Sequence, residues 1–182
     1  MMATTHALVG LALAAGVATV APELAVPAAV GGIAGGLAPD LDVLATHRRT
    51  LHAPIYGAVP AALAAVPALW QPGALTVGVA TLLLAAWLHA VADAFGGPPE
   101  ANPWATDTDR TVYAHALGRW LPRLGGVRYD GAPEDFLLGV ALAVPVLLVF
   151  DGAIAALVWV GLAVSFGYAL FRRPIGERLA AS

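Results

Sequence analysis

Six apolar stretches, at about residues 3–21, 24–38, 53–70, 74–95, 136–150 and 152–171, take up most of the chain. A helix crosses the hydrocarbon core of a bilayer with about 20 such residues, in a range of roughly 17 to 25. The stretches are rich in Ala, Val, Leu and Gly and lack the polar–apolar alternation of a barrel strand, so helices are predicted, with every backbone group satisfied inside its own segment. Composition excludes an ordinary soluble globule. Only 12% of residues are charged and 59% are hydrophobic, against about 25% charged in soluble domains. The expected fold is all-α: one integral membrane domain over 1–182, a polytopic bundle of about six spans, or four or five if the short second and fifth stretches are re-entrant.

The first stretch lacks the positive flank of a secretory signal and is read as a retained span. Breakers fall where hairpin turns are needed, at Pro22-Glu23, Gln71-Pro72-Gly73 and Asp151-Gly152, while Pro60, Pro67 and Pro145 inside spans predict kinks. Gly31-Gly32 and Gly35-Gly36 form a small-residue face that lets helices approach closely in lipid. The long polar segment at about 96–134 is expected to be an ordered loop or small cap. Six crossings put Arg48, Arg49, Arg110, Arg119, Arg123, Arg128, Arg172, Arg173 and Arg178 on one side, together with both termini. Positive residues mark the cytoplasmic side, so a multi-pass protein of the cell (inner or plasma) membrane is expected, with both termini cytoplasmic.

The same topology gathers the scarce ligand-type residues at that face. His6 enters the first span, Asp40 and Asp42 follow the second, His47 and His52 occupy the next loop, and His89 and Asp93 close the fourth. Without cysteine, a metal here must be held by imidazole and carboxylate. His89 and Asp93, four apart, share one helix face, as a chelating pair requires; taken alone they could equally be a helix-ending pair meeting interfacial water. Asp40 and Asp42, just past a helix end, could bind one metal or bridge two, or could be a cap and a solvated carboxylate. His52 could be a further ligand, and His47 a ligand, a general acid or a group behind the ligands. Arg48 and Arg49 could grip a phosphate or carboxylate, or anchor the loop among anionic headgroups. A His at the mouth of an apolar helix, as at position 6, needs a partner, or could face headgroup water. Coincidence favours a joint site, because segments distant in sequence deliver these residues together.

On His6 with Gly10, Gly36, Pro39-Asp40-Leu41-Asp42, His47-Arg48, Thr50-Leu51-His52, His89 with Asp93, then Gly96-Gly97 and Pro103-Trp104, the chain resembles the family of inner-membrane-associated metal-dependent hydrolases sometimes described as LexA-binding. The resemblance covers about the first 110 residues in order and spacing. It implies a metal-site set of His6, Asp40, Asp42, His52, His89 and Asp93, with His47 and Arg48 nearby.

The expected activity is hydrolysis of a phosphoester or other ester, which could be lipid-borne, by a bound divalent metal, zinc or manganese, at the cytoplasmic face. Asp40, Asp42 or His47 would take the proton of the attacking water, and Arg48 would steady the developing charge. The alternative is a non-enzymatic interaction or regulatory protein whose metal staples helix ends. A transporter should carry carboxylates near the bilayer midplane, and this topology puts none there. The net charge of −3 argues against a nucleic-acid partner, the lipid bilayer is the expected surrounding, and the oligomeric state stays open. His115 and the Asp107–Asp109 turn read as solvated loop residues.

Overall fold

The computed structural model describes residues 1–181. Its helices are α1 (Ala3–Val20), α2 (Ala25–Leu37), α3 (Ala58–Trp70), α4 (Ala74–Ala92), α5 (Pro133–Val149) and α6 (Gly152–Ala180). Four helical rods are long and apolar enough to cross a membrane: Ala3–Val20, Pro22–Leu44, Ala74–Phe95 and Gly152–Ala180.

Two length expectations need correcting. The second segment is not short, because 3-10 turns at Pro22–Leu24 and Ala38–Leu44 extend α2 at both ends into a rod of 23 residues. The third is the short one. Ala53–Gly57 forms turns rather than helix, leaving α3 only 13 residues. At 17 residues α5 sits at the lower limit for a crossing. Pro67 and Pro145 do lie inside α3 and α5.

The helices pack in the lateral order α3, α4, α2, α1, α5, α6. In lipid the hydrophobic effect does not drive helices together, so close van der Waals packing has to hold them. The glycines of α2 make this possible: a Cβ on Gly32 would lie 2.3 Å from the Gly10 carbonyl oxygen of α1, and one on Gly35 would lie 2.0 Å from that of Leu82 on α4. Leu8, Leu11, Ala14, Ala28, Ala29, Val77, Val146 and Val158 fill the seams. Large apolar side chains on α3, α5 and α6, such as Leu63, Trp70, Leu148, Trp159 and Leu170, face outward, a surface that suits lipid and not water.

The polar segment departs from the all-α expectation. It contains an antiparallel hairpin of β1 (Arg110–Ala114) and β2 (Arg119–Pro122), with Tyr113 opposite Trp120. The hairpin turns at Gly118, whose φ of 63° is the left-handed conformation that glycine adopts without a steric penalty. This cap is tied to the bundle through its backbone: Leu124 N–H donates to Ala94 O (2.9 Å), Val127 N–H to Phe95 O (3.0 Å) and Tyr113 N–H to Arg48 O (2.9 Å).

Candidate metal centre

The start of α1, the 3-10 turn after α2, the loop that follows it and the end of α4 converge at one end of the bundle, under the cap. His6, His52, His89 and Asp93 are fully buried there, in a chain with few charges to bury. Burying ionisable groups is costly unless each finds a partner. Two sets have the spacing to hold a metal ion: Asp40 with His52 and His89, and His6 with His89 and Asp93.

Hydrogen bonds at the far side of two rings set the chemistry of the first set. His52 Nδ1 meets Asp42 Oδ2 at 2.9 Å, and His89 Nδ1 donates to the Gly36 carbonyl at 2.7 Å. Both acceptors demand a proton on Nδ1, so in the neutral rings both Nε2 atoms carry lone pairs. Those two Nε2 atoms face each other at 3.1 Å. Two lone pairs at that distance repel unless an electrophile, a proton or a metal ion, lies between them. Holding metal-binding imidazoles by their other nitrogen, from a carboxylate or a carbonyl, is the usual support of such sites.

The surrounding oxygens fit the same reading. His52 Nε2 lies 3.3 Å from Asp93 Oδ2 and 3.9 Å from Asp40 Oδ1, and His89 Nε2 lies 3.8 Å and 3.3 Å from the same two oxygens. Four ligands about 2.0–2.2 Å from a tetrahedral ion stand roughly 3.3–3.6 Å apart. The two 3.3 Å spacings match that geometry and the 3.8 and 3.9 Å ones are wider, so these buried His and Asp groups could hold a metal ion. Burial disfavours a charged His52, but the Asp93 and Asp42 carboxylates outweigh it and hold its pKa above the ordinary imidazole value.

His6 stacks on His89 with ring centroids 3.5 Å apart, and its Nε2 reaches Asp93 Oδ1 at 3.2 Å, beside the Met1 amino group at 2.8 Å from the same oxygen. It thus joins the second set and not the first. The other Asp93 oxygen is met by Arg48 Nε at 3.2 Å. Arg48 is itself buried and also donates from Nη1 to the Gly97 carbonyl. Its φ of 58° is unusual for a residue with a side chain, and it is imposed from both sides, by Asp42 on its N–H and Tyr113 on its carbonyl. Arg49 instead turns outward and covers the Tyr113 ring at 4.5 Å.

Asp40 and Asp42 have separate tasks. In a 3-10 turn of three residues per turn, positions two apart point about one-third of a revolution apart. Asp40 points to the imidazoles, while Asp42 turns into the loop. Its carboxylate accepts from the backbone N–H groups of Arg48, Arg49 and Leu51, each at 3.2 Å, and from Nδ1 of His47 at 3.0 Å and of His52 at 2.9 Å. Asp42 is accordingly outside both metal-spaced sets. It positions two imidazoles and the loop that carries them. Asp42→Asn is expected to weaken metal binding about 10- to 100-fold, the usual effect of losing a group behind a ligand. Metal titration of the purified variant reads it, and unchanged affinity would remove Asp42 from that role.

Sequence reasoning missed Asp135, which is buried and accepts from Met2 N–H (2.7 Å), Thr5 Oγ1 (2.8 Å) and Gly131 N–H (3.0 Å). It fastens the turn of α1 that carries His6 to the start of α5. Pro133 and two acids mark a helix start, but nothing local points to Thr5. His115 binds the Arg49 carbonyl at 2.6 Å through Nε2 and so braces the same loop from the cap.

A cavity of about 470 Å³ opens beside the site, with Asp40, His47 and Arg48 in its wall. His47 is a third exposed, and Asp42 holds its Nδ1, which leaves Nε2 free to exchange a proton. Compared with known proteins, the chain matches no family model, no curated protein and no solved structure.

Proposed function

We propose that this chain is a membrane-embedded, metal-dependent hydrolase of the family it resembles, acting on a phosphoester or other ester at the cytoplasmic face of the inner membrane, with both termini on that face. The reading rests above all on the facing pair of His52 and His89 Nε2 atoms, locked from behind by Asp42 and Gly36 O. Asp40 joins this pair in one metal-spaced set, Asp93 joins His89 and His6 in the other, and a cavity adjoins them. When bound, zinc or manganese supplies a Lewis acid and lowers the pKa of a water toward about 7.

The remaining roles belong to side chains of this chain. His47, oriented by Asp42, takes the proton of the attacking water at Nε2 and returns it to the leaving oxygen. Asp42 is too fully engaged by five donors to serve as that base. Arg48, whose side chain is bound to Asp93 and Gly97 O, balances the buried carboxylate and contributes positive potential at the cavity wall.

The burial of His6, His52, His89 and Asp93 favours a second reading, in which a metal only ties helix ends together in an interaction protein. Plasma mass spectrometry of the detergent-purified chain, followed by assays with phosphodiester, carboxylic ester and phospholipid panels, separates the two. Hydrolysis that a chelator abolishes and zinc or manganese restores is the expected result. Stoichiometric metal without hydrolysis favours the tie, and no metal even after reconstitution sinks both.

A further inference from the structure

The cavity beside Asp40 is not confined to the polar end of the bundle. Its far wall is one face of α6, formed by Val164, Ser165, Tyr168 and Arg172, and its near wall includes Ala3 and Thr4 of α1. With a rise of about 1.5 Å per residue from Gly152, Val164 lies about 18 Å along α6 and Arg172 about 30 Å, which is the full hydrocarbon thickness. On the membrane reading, with Gly152 taken as the far boundary, the α6 wall of the cavity would cover about the last 12 Å of hydrocarbon below Arg172, level with the first turn of α1. Arg172 is held by Asp130 Oδ1 at 2.9 Å and by the Ala101 carbonyl at 2.8 Å. Between these levels α6 packs mainly on α5 and touches α1 sparsely. Thr4 Oγ1 and Ser165 Oγ, 2.6 Å apart, bridge the two helices at one point, a contact that an entering chain would have to displace.

We propose that the slot between α1 and α6 is a lateral entrance for an acyl chain, and that the substrate is a membrane amphiphile whose ester or phosphoester lies within a few bonds of that chain. This rests on the hydrolase reading for its chemistry, while the slot itself is a matter of binding. A water-soluble ester makes no use of an apolar wall formed by Val164 at that depth. An acyl chain there keeps its contacts with hydrocarbon while its polar end reaches Asp40 and His47. The reaction is an ordinary hydrolysis. The water oxygen bonds to phosphorus or to the acyl carbon, the ester bond to the leaving oxygen breaks, and the proton taken by His47 passes to that oxygen.

The test is photolabelling of the full chain in phosphatidylethanolamine vesicles doped with a phosphatidylcholine that carries a diazirine near the carbonyl end of one acyl chain. Crosslinks are expected to concentrate on Ala3, Thr4, Val164 and Tyr168. Val164→Trp should cut them at least about tenfold, with labelling of the outward Trp159 and Leu170 and the metal content unchanged. Val164→Ala, which widens the slot, should raise them. Slot labelling no stronger than at Trp159 and Leu170, or indifferent to both substitutions, overturns the proposal. A parent that labels in the slot but holds no metal supports the entrance and removes the hydrolase reading, so the two fail separately.

Discussion

His89→Ala is expected to lower metal affinity by more than about 100-fold, beyond the upper end of what losing a group behind a ligand costs. His89 is the one residue common to both metal-spaced sets, so no neighbouring ligand covers its loss. The same substitution leaves the Gly36 carbonyl without its 2.7 Å donor and strips His6 of its stacking partner. A buried acceptor left unpaired costs about 1–3 kcal/mol, so the melting temperature in detergent should fall as well. Metal content measured beside thermal unfolding keeps the two effects apart. Full metal content in a folded His89→Ala chain would sink the ligand assignment.

Gly35→Ala should damage the fold as a single methyl rarely does. Its Cβ would stand 2.0 Å from the Leu82 carbonyl oxygen, which is backbone and cannot swing aside, so α2 and α4 must part. Overpacking of this kind costs about 1–3 kcal/mol and sometimes more. One residue on, Gly36 O bridges the same helix pair to His89, and the displacement should therefore weaken metal binding too. Gly167→Ala on α6 is the control, because a Cβ there meets nothing within 4 Å. Equal melting temperatures for the two variants would show that the α2 glycines do not set the interhelical distance.

Part of this arrangement follows from rules local to the chain. Apolar length and absent charge dictate helices long and apolar enough to cross a membrane, alternating direction brings His6, Asp40, His52, His89 and Asp93 to one end, and the lack of cysteine leaves imidazole and carboxylate as the groups that could hold a metal. The spacing of His89 and Asp93 was legible because an α-helix repeats every 3.6 residues. Tertiary structure decided how those residues divide the work. The chain after Pro39 winds as a 3-10 turn, and what each carboxylate meets, the His89 ring for Asp40 and the following loop with His52 for Asp42, separates their tasks. The left-handed Arg48 is held by Asp42 and Tyr113, and Asp135 finds Thr5 across 130 residues. Such partners are chosen by the approach of packed elements, which glycine contacts set to within an ångström and which no periodicity along the chain encodes.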